Sequence, residues 1–174
     1  SAKSIFGIDN IILAEPNQAQ VAKLQSKHGL KNVVSDYREA LNNVDACIIC
    51  TPPHVHNAIL KDCITANKHV LCEKPLSPSS QETAEILKTA SSDLVIGMCH
   101  SYRFFSNRRD IHQKIQEGFF GNDLHIIIHE GEPSGWPTVS GYCFRKELVP
   151  GGVLYDNGIH SMDFALWCLG APTN

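Results

Sequence analysis

Along the first hundred residues, short apolar runs alternate with stretches in which apolar positions recur every three to four residues. Short continuous runs bounded by turn residues predict buried strands, and the second spacing predicts helices with one apolar face. Residues 10–14, 33–34, 46–50, 69–72 and 94–98 are the predicted strands. Residues 1–9 predict the end of a helix and a turn, and residues 18–28 have helical spacing through Val21, Leu24 and His28, with Gly29 as the stop. Residues 36–41 predict a short helix capped by Ser35 or Asp36. A longer helix is predicted over 55–67, and Ser79-Ser80-Gln81-Glu82 is a capping-box signal for another. The run 46–50 is continuously apolar, as expected for a strand covered on both faces. Strands and helices alternating at these lengths call for an α/β fold with a doubly wound parallel sheet.

Beyond residue 105 the pattern changes. Residues 108–116 predict a helix, 118–122 a turn, and 124–130 a strand that leads into a loop rich in Gly, Pro and Ser at 131–141. Gly151-Gly152 then introduces residues 153–163, which run on into an apolar helix ending near Leu169-Gly170. The domain boundary is expected between residues 105 and 123, giving domains 1–120 and 121–174.

Composition narrows the function classes. The 43% hydrophobic content supports a sizeable core, and a net charge of −3 without a basic run argues against nucleic-acid or anionic-membrane partners. No apolar stretch approaches the length of a membrane span. The seven cysteines are odd in number, and Cys47, Cys50, Cys72 and Cys99 fall in apolar runs where free cysteine behaves as a small hydrophobe. Cys47 and Cys50 have C-x-x-C spacing, but in an extended strand their side chains point to opposite faces, a poor start for a zinc site. A reduced, cytoplasmic protein is the expectation.

Candidate chemistry gathers at strand ends. Glu15, Thr51-Pro52-Pro53, Glu73-Lys74-Pro75 and residues 100–103 each come directly after a predicted parallel strand, so all sit on the carboxyl edge where open α/β sheets bind ligands. A lysine there is costly to desolvate without work or a partner. The proline beside it removes a backbone donor and admits a cis bond. Glu15 is placed to hydrogen-bond an adenosine ribose, which favours NAD over NADP. Asp156 and His160 stand at i and i+4, on one face if both lie in a first helical turn. That spacing suits a general base with an orienting carboxylate, two of three metal ligands, or an N-cap beside a half-buried histidine. Asp163 extends the same polar patch.

Thr51-Pro52-Pro53-x-x-His56, Glu73-Lys74-Pro75, Tyr102-Arg103-Phe104 and Gly151-Gly152-x-Leu154-x-Asp156-x-Gly158-x-His160-x-x-Asp163 together resemble the Gfo/Idh/MocA oxidoreductases, over nearly the whole chain. The resemblance implies a Rossmann domain, an α/β C-terminal domain with a large open sheet, a nicotinamide cofactor between them, and a homo-oligomer. It implies a hydride transfer between NAD(P) and a secondary alcohol of a sugar, cyclic polyol or nucleotide sugar. It assigns Lys74, Asp156 and His160 as the catalytic set. Glu15, Thr51, Pro52, Pro53, His56, Glu73, Lys74, Pro75 and Arg103 would line the cofactor, and no metal is implied.

The chain departs from that pattern in holding no G-x-G-x-x-G turn, and it stops where the family's large sheet would begin, so truncation at both ends is expected. A non-catalytic, nucleotide- or partner-binding regulator of the same family is the alternative. A metal-dependent hydrolase built on Asp156 and His160 ranks last, for want of a third ligand. Trp136, Tyr142 and Arg145, in the stretch before Gly151, are placed to meet a sugar.

Overall fold

Parallel pairing organises the first hundred residues in the computed structural model, which describes residues 2–131, 141–149 and 151–172. Strand β1 (Ile12–Ala14) pairs with β2 (Asn32–Val34), and β3 (Ala46–Ile49), β4 (His69–Cys72) and β5 (Ile96–Met98) form a second parallel sheet in that order. The connecting helices are α2 (Gln18–His28), α3 (His56–Thr65) and α4 (Ser80–Lys88), after a short α1 (Ala2–Phe6). The single sheet expected from the sequence is therefore two sheets. Doubly wound order places a further strand between β1 and β3, and none of the described residues supplies it.

Local chemistry explains where the elements start and stop. The Asn17 side chain accepts from the N–H groups of Ala19 and Gln20 at the start of α2, and Gly29 takes the left-handed conformation that ends it, at φ 72°. Ser79 caps α4 through the N–H of Glu82. Asp36 does form a cap, closing a reciprocal box with Glu39, but it opens two tight 3-10 turns, Tyr37–Glu39 and Leu41–Asn43, in place of an α-helix. Tyr37 Oη and Arg38 Nε both donate to Asp62 of α3, which ties this connection to the second sheet.

The core lies between α3 and one face of that sheet. Ile49, Val70 and Cys72 meet Leu60, Cys63 and Ile64, all nearly or wholly excluded from solvent. The other face is open, with Ile48 49% and Leu71 43% exposed. This corrects the expectation that β3 is covered on both faces. Continuous apolar sequence permits two-sided burial, but among the described residues no helix lies on that side.

After β5, a 3-10 turn (Ser101–Phe104) leads into α5 (Ser106–Gln116), which packs against α7 (Gly158–Leu169). His112 stacks on Trp167 at 3.9 Å between ring centroids, and the Arg108 guanidinium lies over Phe164. The predicted strand at 124–130 is extended but unpaired. Its burial still alternates, with Leu124, Ile126 and Ile128 half-buried and Ile127 exposed, yet no described strand offers it a ladder. Most of the 131–141 loop lies outside the described residues.

Leu60 of α3, fully buried against the sheet, sets the first expected outcome. Leu60→Ala should cost about 2–5 kcal/mol, read as a fall in the urea midpoint with an unchanged slope.

Candidate active site

Backbone ladders hold the carboxyl edge together past the strand ends. Glu73 N–H donates to Ile49 O and Cys99 N–H donates to Cys72 O, each at 2.8 Å, so the chains leave β3, β4 and β5 side by side. Thr51 is exposed there, Pro52 half-buried and Pro53 buried, and Glu73 and Lys74 are both half-buried. Glu73 Oε2 accepts from the Lys74 N–H at 3.2 Å, and the Lys74–Pro75 bond is cis. Glu15 leaves the other sheet at the end of β1. Its Oε1 accepts from Asn17 N–H at 2.9 Å, which closes the turn into α2 and leaves Oε2 for another donor.

His56 has a different place from the one inferred for it. The side chain is 0% exposed, with Nδ1 3.0 Å from Pro75 O and Nε2 2.6 Å from Thr51 O. Each ring nitrogen faces a backbone carbonyl and the one that carries the N–H donates, so His56 sits sealed between the turn after β3 and the turn after β4. It positions the residues that line the edge. Arg103 also has a partner within the protein. Its Nε and Nη2 form a fork on Asp163 at 2.8 and 2.6 Å, fastening the turn after β5 to α7.

Lys74 reaches across to the second half of the chain. Its Nζ donates to the backbone carbonyl of Asp156 and, at 3.1 Å, to Asp156 Oδ1, the two side chains being 16% and 19% exposed. Asp156 ends a short helix α6 (Gly152–Asp156), and a break at Asn157 separates it from α7. The break overturns the picture of Asp156 and His160 cooperating within one helical turn. No hydrogen bond joins them; the carboxylate faces Lys74. Glycines permit the break, since a Cβ on Gly151 would collide with that of Tyr155, and one on Gly158 would lie 2.7 Å from Leu154 Cδ1.

His160 is 8% exposed and stacks on Tyr102, with ring centroids 4.3 Å apart and planes 9° from parallel. Its Nδ1 is buried and has no hydrogen-bond partner. Burial, then the positive charge of Lys74 and then His100, push its pKa below the ordinary value of 6.5, against weaker opposition from Glu73 and Glu130. The ring is therefore a neutral base at physiological pH. His100, which the motifs did not single out, is a second such imidazole. Its Nδ1 is also buried and unpartnered, 3.5 Å from Asp163 Oδ2, and burial lowers its pKa. Its position directly after β5 was the available signal.

Of the residues placed near a sugar, Trp136 lies outside the described residues, and Arg145 pairs with Glu147 at an exposed site. Among the described residues no group of three or more His, Cys, Asp or Glu gathers to hold a metal ion.

Two expected outcomes come from these contacts. His56→Ala removes the ring N–H from a buried backbone carbonyl and should cost about 1–3 kcal/mol, read by urea denaturation. The depressed pKa of His160 means the folded chain resists a proton that the unfolded chain accepts. Stability is thus full above pH 6.5 and is lost as pH falls through the folded value. In an NMR titration the His160 ring should titrate below 6.5, and Lys74→Met should move it upward; no movement would show that Lys74 is not a cause and leave burial and His100.

Comparison with known proteins shows the family and the fold. The oxidoreductase family with an NAD-binding Rossmann fold, GFO/IDH/MocA, matches residues 7–100, and the GFO/IDH/MocA C-terminal domain matches residues 109–174. The chain is 26% identical over 175 residues to myo-inositol 2-dehydrogenase of Thermotoga maritima, covering 97% of this chain and 51% of that protein. It is 27% identical over 173 residues to D-glucoside 3-dehydrogenase of Escherichia coli, covering 95% and 48%. Levoglucosan dehydrogenase in complex with NADH and levoglucosan superposes with a TM-score of 0.73 at 25% identity, covering 92% of this chain and 45% of that one. Myo-inositol 2-dehydrogenase of Lactobacillus plantarum, at 21% identity and a TM-score of 0.77, shares the fold over 97% of this chain and 51% of its own. The chain thus spans about half the length of the relatives it matches. Its fold is a Rossmann fold, and it belongs to the GFO/IDH/MocA oxidoreductases.

Proposed function

We propose that this chain carries the reacting end of an NAD-dependent dehydrogenase acting on a secondary alcohol of a sugar or polyol. The observation that carries the reading is the placement of Lys74. An ammonium has three N–H donors, and Asp156 takes two of them. The third is available to a substrate oxygen on the same edge to which β3, β4 and β5 deliver Thr51, Glu73 and His100.

The residues present fit the nicotinamide end of such a cofactor. A half-buried lysine and two buried, unpartnered imidazole nitrogens are what a polar ring and a hydroxyl would satisfy. Thr51, Pro52, Glu73 and Pro75 would hold the cofactor along the carboxyl edge. The free oxygen of Glu15 would take a ribose hydroxyl, which favours NAD over NADP. When bound, the nicotinamide supplies the hydride acceptor. His160 holds the hydroxyl proton at Nδ1, a role that its lowered pKa and missing partner suit. Lys74 donates to the same oxygen and stabilises charge developing on it. Asp156 fixes the ammonium, and Tyr102 fixes the plane of the imidazole. Residues 1–120 would serve the cofactor and 121–174 begin the substrate half of a homo-oligomeric enzyme. The six cysteines with described side chains are all free thiols, which suits a reducing cytoplasm.

The test offers NAD and a panel of cyclic polyols, glucosides and nucleotide sugars to this chain, and to the same chain preceded by a relative's strand and G-x-G-x-x-G turn. Formation of reduced nicotinamide, monitored by its near-ultraviolet absorbance, is expected with at least one substrate. Lys74→Ala should lower kcat by roughly 10²–10³-fold while leaving NAD affinity nearly unchanged. Tight NAD binding without turnover of any substrate would overturn the dehydrogenase reading in favour of a regulator.

A further inference from the structure

One ion pair stands outside the set at the carboxyl edge and is nevertheless joined to it. Arg108, in the first turn of α5, holds its guanidinium over two rings, 5.4 Å from the centroid of Tyr102 and 4.5 Å from that of Phe164. The same guanidinium donates through Nη2 to Glu130 Oε1, at the end of the extended 124–130 segment. Glu130 turns its other oxygen to α7, where Oε2 accepts from Ser161 Oγ at 2.7 Å. Four stretches of chain therefore meet at this pair: the turn after β5, α5, residues 124–130 and α7. Ser161 directly follows His160, and Tyr102 is the ring on which His160 stacks. The pair thus reaches the imidazole by two routes, along the first turn of α7 and through the Tyr102 ring.

We propose that Arg108 and Glu130 are positioning residues for His160, acting through Ser161 and Tyr102. Their part in a reaction rests on the dehydrogenase reading above; their hold on the ring does not. His160 Nδ1 is buried with no hydrogen-bond partner, so that atom cannot fix the orientation of its own ring. Orientation has to come from contacts that other groups make. Asn157 gives the start of α7 no side-chain cap, and an uncapped first turn frays unless something outside the helix holds it. The Ser161–Glu130 bond is such a hold, one residue from the imidazole.

The chemistry of the two groups suits the task. Stacking of two rings is a weak contact by itself. A cation over the Tyr102 ring adds an attraction that keeps that ring in place, and Phe105 packs on it as well. A guanidinium is flat and always charged, so it can lie on rings while its edge donates to a carboxylate, which an ammonium cannot do. The Arg108 and Glu130 side chains are 19% and 33% exposed, so salt screens their attraction less than that of a surface pair. The Arg103–Asp163 fork holds α7 one turn further on, and it leaves the start of the helix to Glu130.

The experiment follows the ring-proton NMR resonances of His160 in the whole chain, which the Tyr102 ring current shifts upfield. Arg108→Met and Glu130→Gln should return them toward the position of a free imidazole. Arg108→Lys should return them only partly, because the charge is kept while the flat face is lost. Should Arg108→Met fail to fold, Glu130→Gln and Ser161→Ala give the same readout with smaller changes of side chain. In the chain preceded by the G-x-G-x-x-G turn, Arg108→Met should lower kcat about 10²-fold with NAD affinity unchanged, and Arg108→Lys should recover part of the loss. His160 resonances that stay in place in every variant, whatever the fall in urea midpoint, would overturn the proposal and leave the pair a structural tie. Resonances that move as expected, with no substrate turned over by any chain, would uphold the positioning of His160 and remove the dehydrogenase reading instead.

Discussion

An ammonium with three donors to satisfy, in surroundings that admit little water, needs acceptors from the protein. Lys74 finds them in the carbonyl and carboxylate of Asp156, a residue 82 positions further along the chain. Removing one partner of such a half-buried pair leaves the other charge unsatisfied, which costs more than the pair itself contributes. The contact therefore ties the end of β4 to the end of α6, and with it the first half of the chain to the second. The Arg103–Asp163 fork makes a parallel tie from the end of β5 to α7. Between these two fastenings lies His160, placed on Tyr102 and within the field of Lys74.

Positioning and chemistry are divided among different residues at this edge. His56 sits inside a polar motif at a strand end, which suggested contact with a ligand, yet it is wholly buried and lies between two backbone carbonyls. Its role comes from the general rule that buried backbone oxygens must be matched. The turns after β3 and β4 lack ladder partners for Thr51 and Pro75, and the imidazole sits between the two carbonyls with an N–H for one of them. Arg103 is a similar case, because the carboxylate of Asp163, 7% exposed, requires a cation beside it. Other groups at the edge keep capacity to spare: Thr51 is exposed, Lys74 has a third N–H, and His100 and His160 each hold an unpartnered Nδ1.

Much of the fold was legible because its signals are local. Gly29 ends α2, Asn17 and Ser79 cap their helices, and the parallel alternation of strand and helix places Glu15, Thr51, Lys74 and His100 after strands. The misjudged elements are those whose outcome depends on a neighbour distant in sequence. Residues 124–130 have a strand's alternation but no described strand to pair with, and residues 46–49 have an apolar face that nothing described covers. The i, i+4 spacing of Asp156 and His160 promised a shared face; the glycine-permitted break at Asn157 turned one toward Lys74 and the other toward Tyr102.

The sequence by itself determined the family, the order of elements and the presence of a lysine, an aspartate and a histidine suited to proton and hydride chemistry. Those are set by spacing and side-chain type, which depend on a few neighbouring residues. Only the tertiary structure decided that Asp156 serves Lys74, that His56 serves the backbone, and that His100 joins His160. Each of those pairings is set by which polar groups are buried together once the chain has closed, and no local periodicity encodes it.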